Sequence, residues 1–157
     1  MNATEAAGFH WSSTIIWAKD RLVLSRKDYH TQYEPIYYGW LDGEKRLCPL
    51  EDRQQSDLWQ FDRPAKSKEH PTMKPIALAA KAINNSSRRG DAVLDLFGGS
   101  GTTLLAAEQT ERICQMMELD PKYCDVITKR FIEYQKSDSG VFLLRDGVKT
   151  TYNEIGG

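Results

Sequence analysis

The residues Asp95-Leu96-Phe97-Gly98-Gly99-Ser100-Gly101-Thr102-Thr103 set three glycines between an acid and a run of hydroxyls. An apolar run, Ala92-Val93-Leu94, precedes them, and Leu104-Leu105-Ala106-Ala107-Glu108 follows. That context predicts strand, glycine turn, helix. Glycines let the main chain bend sharply and let a ligand approach it closely. The helix start behind the turn offers unpaired N–H groups. A second apolar run, Ile113 to Met117, ends in Glu118-Leu119-Asp120. A carboxylate at such a strand end can accept protons from both hydroxyls of a ribose. Glu118 is assigned that role. Asp120 has two readings, an adenosine contact and the N-cap of a helix that Pro121 would open.

The loop type narrows the ligand. A phosphate-cradling loop of the Gly-Lys-Ser/Thr kind needs a lysine, and none is present. A dinucleotide loop needs a third glycine where Leu104 stands. Asp95 would repel a pyrophosphate. An acid at that point suits an ammonium or a sulfonium, and S-adenosylmethionine carries both.

Other segments must position this cradle. His70-Pro71-Thr72-Met73-Lys74-Pro75 leads into a helix whose apolar face holds Ile76, Ala79, Ala80 and Ile83. Pro75 suits its first turn, and Thr72 is a candidate cap. After Asp120 a second amphipathic helix puts Tyr123, Val126, Ile127, Phe131 and Tyr134 on one side. Upstream, Trp11 to Trp17 and Glu34 to Trp40 are aromatic and β-branched, and both read as strands. The stretch between them is basic. Its Lys19, Arg21, Arg26 and Lys27 suit phosphate contacts, which position a nucleic acid without reading its sequence, and equally suit a solvated surface. Residues 41–69 are polar, with one short strand at Leu58 to Phe61. Val141 to Tyr152 reads as a hairpin turning at Asp146-Gly147.

These segments resemble the DNA amino-methyltransferases. The resemblance rests on the Asp95–Thr103 loop, on Glu118-Leu119-Asp120-Pro121-Lys122-Tyr123-Cys124-Asp125, and on the His70–Pro75 segment before them. It runs from about Phe9 to Gln135. The motif order is similar to that of the beta group, in which the catalytic half comes first. The resemblance implies methyl transfer from S-adenosylmethionine to adenine N6 or cytosine N4 of double-stranded DNA, with adenine preferred, in a restriction-modification setting. It implies cofactor contacts from Thr72, Lys74, Pro75, Asp95, Phe97, Gly98, Gly99, Ser100, Gly101, Thr102, Thr103, Glu118 and Asp120. It places a short target-recognition segment at 41–69, where Arg53 and Gln54 could read base edges. In such enzymes the base is flipped out of the duplex and its amine attacks the methyl group directly.

One departure bears on activity. The family's Asp-Pro-Pro-Tyr type motif, which holds the reacting amine, has no counterpart, since no Pro-Pro dipeptide occurs. Asp120-Pro121-Lys122-Tyr123 is a decoy in the ribose region. No residue is therefore assigned as catalytic. The expected fold is an α/β, Rossmann-like methyltransferase sheet that is partial. The family's strand order is 3-2-1-4-5-7-6, and the chain accounts for strands 6, 7, 1 and 2, with strand 3 as a further candidate. The central strands 4 and 5 belong to a half that is missing. Strand 1 should then present an unpaired apolar edge. Three outcomes are expected: pairing with a complementing chain or with itself, closure of strand 1 onto the hairpin, or an inactive remnant that only binds cofactor.

The layout expected is one partial domain over 1–157, with the hairpin at 9–40, the cofactor half at 70–135 and a C-terminal hairpin or tail at 136–157. The hydrophobic share of 40% and charged share of 27% argue against disorder. A net charge of −1 leaves any nucleic-acid surface to local patches. Three cysteines without ligand spacing suggest reduced thiols, two of them in the core, and no metal. No apolar run reaches membrane-spanning length. The expected location is the cytoplasm.

Overall fold

A computed structural model describes residues 3–64 and 73–155. Two long strands come first among the main elements, β1 (Phe9–Val23) and β2 (Thr31–Leu41). They pair antiparallel, with Trp17 opposite Glu34 and Ile16 opposite Pro35. The strands reach further into the basic stretch than expected. β3 (Leu58–Gln60) adds to the other side of β1 in parallel, so the order is β2-β1-β3.

The amide of Ile16 donates to Asp57 on the β3 side. The Ile16/Pro35 pair is therefore a non-hydrogen-bonded one, and the missing donor of Pro35 faces outward from β2. That is where a sheet tolerates proline. The outer edge of β2 is open in this sheet.

α1 (Ile76–Ser86) follows Pro75, which is the N-cap in extended geometry rather than part of the first turn. It serves two small cores. Leu78 packs with Trp17 and Trp59 beneath it, and Ala82 joins them. Ile83 packs with Ala106 and Ala107, flanked by Ile76, Ala79, Ala80, Val93 and Cys114. (The four-residue helical turns at Ala3–Ala6 and Tyr152–Ile155 are left unnumbered.)

The second sheet is β4 (Ala92–Asp95) beside β5 (Ile113–Met116), parallel, with α2 (Thr102–Gln109) connecting them. Among the described residues β4 pairs with β5 alone, so the expected open edge is present and β4 has not closed onto the hairpin. Alternation sends Val93 and Cys114 toward α1 and α2. It sends Leu94 and Ile113 to the opposite face, where they are 64% and 59% exposed.

α3 (Pro121–Gln135) buries no residue fully. Tyr123, Val126, Ile127 and Phe131 are half-buried, but Tyr134 of the expected face is exposed. β6 (Phe142–Arg145) and β7 (Val148–Thr151) form the expected hairpin, with Asp146 and Gly147 both at positive φ. Among the described residues β6 pairs only with β7, so it is not a third parallel strand of the cofactor sheet. Cys48 and Cys114 are half-buried and Cys124 is exposed. Among the described residues no helix is long and apolar enough to cross a membrane.

Candidate cofactor site

The glycine loop is fastened to the end of β5 before any ligand is considered. The Gly98 amide donates to the Met117 carbonyl at 2.8 Å, and the Met117 amide donates to Asp95 at 2.9 Å. Asp95 Oδ1 accepts the Phe97 amide at 3.0 Å, which turns the chain out of the strand. Glu118 Oε2 accepts the Gly99 amide at 2.7 Å, while Oε1 accepts those of Leu119 and Asp120. The Arg130 guanidinium of α3 donates to the Ser100 carbonyl.

Two glycines sit where a Cβ would crowd a neighbouring side chain. A Cβ on Gly98 would lie 2.7 Å from Met116 Sδ. Gly101, the N-cap of α2, sits at φ +77 with Ile127 3.2 Å from where a Cβ would be. Only glycine adopts that backbone without strain.

A cavity of about 440 Å³ opens at the carboxyl ends of the strands. Lys74, Asp95, Phe97, Gly98, Gly99, Ser100, Thr102 and Thr103 line it, with Ile36, Leu78, Ala79 and Ala82. Its size falls in the range of small-molecule sites. Ile36 of β2 and Asp95 of β4 thus border one space beneath α1. Phe97 is 87% exposed at its rim. Thr102 Oγ1 donates to the Lys74 carbonyl at 3.3 Å, joining α2 to the segment before α1.

The structure therefore collects most of the residues expected at the cofactor. Pro75 is buried behind Lys74. Glu118 reaches the cavity through Gly99 rather than by lining it. Gly101 faces Ile127. Asp120 caps α3 by accepting the Lys122 amide at 2.9 Å and is not on the cavity wall. Thr72 lies outside the described residues.

The candidate DNA contacts are elsewhere. Arg26 and Lys27 are exposed between β1 and β2. Arg21 is exposed and pairs with Asp20 at 3.2 Å. Arg53 and Gln54 are exposed in the loop before β3. Lys19 differs from these, because its side chain is only 9% exposed and binds Glu34 at 2.8 Å. An internal ion pair accounts for it better than a phosphate contact does. Asp20 also accepts the backbone amide and Nε of Arg63, and the amide bond is the chief cause holding its carboxyl below 3.8.

Glu34 is the functional candidate that motif reading leaves without a role. Its Oε1 and Oε2 each accept a lysine, Lys19 and Lys74, at 2.8 Å. Partial burial alone would raise its carboxyl, but the two lysine hydrogen bonds outweigh this and hold it below 4.5. The strand register that sets Glu34 opposite Trp17 belongs to the fold and not to any local motif.

Residues 1–129 match the family model described as DNA methylase. The chain belongs to the N6/N4 DNA methylase family. The chain is 30% identical to the type II methyltransferase M.BglI of Bacillus subtilis, over 81% of its own length and 40% of the relative's. Among solved structures it is similar to the complex of M1.HpyAVI with S-adenosylmethionine, at TM-score 0.68 and 29% identity, covering 81% of this chain and 64% of that one. It is also similar to a Thermus thermophilus protein, a putative DNA modification methylase complexed with S-adenosyl-L-methionine, at TM-score 0.63 and 27% identity, covering 83% and 56%. The chain spans less than half the length of curated relatives it matches, from 23% to 46%. The partial sheet of the fold agrees with that span.

Proposed function

We propose that this chain is the S-adenosylmethionine-binding portion of a DNA methyltransferase that modifies an exocyclic amine, adenine N6 in preference to cytosine N4. The observation that carries the reading is the cavity under α1, where the glycine loop, Asp95 and Lys74 converge. The donor set fits the cofactor. Asp95 suits its ammonium group, Glu118 its ribose hydroxyls, and Lys74 its carboxylate. When bound, the cofactor supplies a methyl group on a sulfonium sulfur.

The chain's own part is placement. Glu118 and Arg130 hold the loop at Gly99 and Ser100, so little ordering remains to be done on binding. Arg21, Arg26 and Lys27 are proposed to meet the DNA backbone, and Arg53 and Gln54 to approach base edges. The amine-holding motif has no counterpart here. Turnover is proposed to need a segment that carries it, seated along the edges of β4 and β2 that are open among the described residues. The relatives' bacterial sources make the cytoplasm, where the DNA lies, the proposed location.

The test is calorimetric titration of the purified chain with S-adenosylmethionine, beside Asp95→Ala and Glu118→Ala. Saturable binding weakened by both substitutions supports the reading. No binding by a chain that unfolds cooperatively on heating sinks it. A second reading, a cofactor-binding remnant without turnover, is favoured by the missing Pro-Pro motif. It predicts that no added methyltransferase fragment carrying the motif restores methyl transfer to DNA.

A further inference from the structure

Two ammonium groups lie over one indole and share one carboxylate. Trp17 is 2% exposed, and its Nε1 donates to the Phe61 carbonyl at 2.8 Å, so the ring is fixed. The Lys19 ammonium lies 5.2 Å and the Lys74 ammonium 5.6 Å from its centroid. Glu34, opposite Trp17 in the strand register, binds both ammonium groups, one on each oxygen. Two cations thus share one anion, and the cluster keeps one positive charge. Lys19 is nearly buried, whereas the Lys74 side chain is 55% exposed and lines the cavity. The uncompensated charge is therefore presented at the cavity.

We infer that Glu34 is a positioning residue for the cofactor site: it fixes the Lys74 ammonium at the cavity mouth, where the cluster's spare positive charge takes the cofactor's carboxylate. This rests on the reading of the cavity as an S-adenosylmethionine site. Glu34 acts in two opposed ways. Its charge repels an incoming carboxylate, and its grip spares the lysine the ordering that binding would otherwise require. The mouth is open to water, where the repulsion is weakened. The rotamer entropy of a free lysine is among the largest of any side chain. Fixing the lysine outweighs the repulsion.

The test compares dissociation constants for S-adenosylmethionine and for its decarboxylated analogue, by titration calorimetry on the full chain. The ratio of the two isolates the carboxylate, and general loosening of the fold shifts both ligands together. The wild-type chain should prefer the carboxylated ligand by about tenfold, the scale of one charge-assisted hydrogen bond. Lys74→Met should bring the ratio near one. Glu34→Gln should lower it by about threefold, through the ordering now left to the ligand. If Lys19 without its full partner prevents folding, the double variant Lys19→Met/Glu34→Gln removes the buried cation and still releases Lys74, and the same fall is expected.

A ratio unchanged in both Glu34 variants, while Lys74→Met flattens it, overturns the role of Glu34 and leaves the cofactor reading intact. Equal binding of the two ligands by the wild-type chain overturns the carboxylate assignment of Lys74, and that of Glu34 with it. No binding of either ligand by the folded wild-type chain overturns the cofactor reading itself.

Discussion

Glu118 at the end of β5 reaches across to the glycine loop and accepts the Gly99 amide at 2.7 Å. A residue expected to face only the ribose is thus also part of the frame that shapes the loop. Hydrogen bonds to a charged group contribute about 1.5–3 kcal/mol each. Glu118→Ala should weaken S-adenosylmethionine binding by more than about tenfold. Glu118→Gln, which keeps an acceptor, should weaken it less. Calorimetry on both variants checks this, and equal losses would reduce the residue to its charge.

Stability should also depend on Glu34 in acid. Its carboxyl is held below the ordinary 4.5 by Lys19 and Lys74, against the upward push of partial burial. A depressed folded value means stability present above 4.5 and lost as pH falls through the folded value. Urea unfolding followed from neutral pH down through that range should show a slope in the wild-type chain. Glu34→Gln should flatten it, and an unchanged slope would assign the acid sensitivity to other carboxylates.

Asp120 and Gly101 separate cap from cavity. Asp120→Ala should cost about 1 kcal/mol through loss of the α3 cap, while Asp120→Asn costs little. Gly101→Ala should cost about 1–3 kcal/mol, because it forces φ +77 on a residue with a Cβ and crowds Ile127. Thermal or urea unfolding reads both. Cofactor affinity should fall with Gly101→Ala and hold with Asp120→Ala; a large affinity loss in Asp120→Ala would restore it to the adenosine side.

Leu94 and Ile113 face away from both cores and are largely exposed. A lysine at either position has no core to disturb. Leu94→Lys should leave the unfolding midpoint within a few degrees, on a shift of about 0.5 kcal/mol. It should reduce self-association seen by sedimentation, because edge and face become charged. It should also prevent any fragment that carries the amine-holding motif from joining the chain. Unaltered sedimentation would mean that this face makes no contacts in the free protein.

The glycine loop, the parallel pair it joins and the hairpin around Asp146-Gly147 were legible because each depends on local chemistry. A positive-φ residue, a strand-end acid and a two-residue turn announce themselves within a few positions. The open edge of β4 followed from the strand order that the family resemblance implies. The Lys19–Glu34–Lys74 cluster was not legible. It joins Lys19 and Glu34 across the β1–β2 pair with Lys74, 40 positions beyond Glu34 in the segment before α1, and Lys19 had read as a phosphate contact or a solvated charge. Tyr134 carries the helical spacing of a buried residue yet is exposed on a helix that buries no residue fully.

α1 shows what joins the two halves of the fold. It is shared between a core under Leu78 and another under Ile83, neither of which contains more than three buried side chains among the described residues. Either core can loosen while the other still grips the helix. The amide hydrogens of α1 should therefore exchange with solvent only when both cores open together, and outlast those of every strand. In the order of assembly, this helix is the common seam on which two small folding units meet, so the first to form lends the second half of its template.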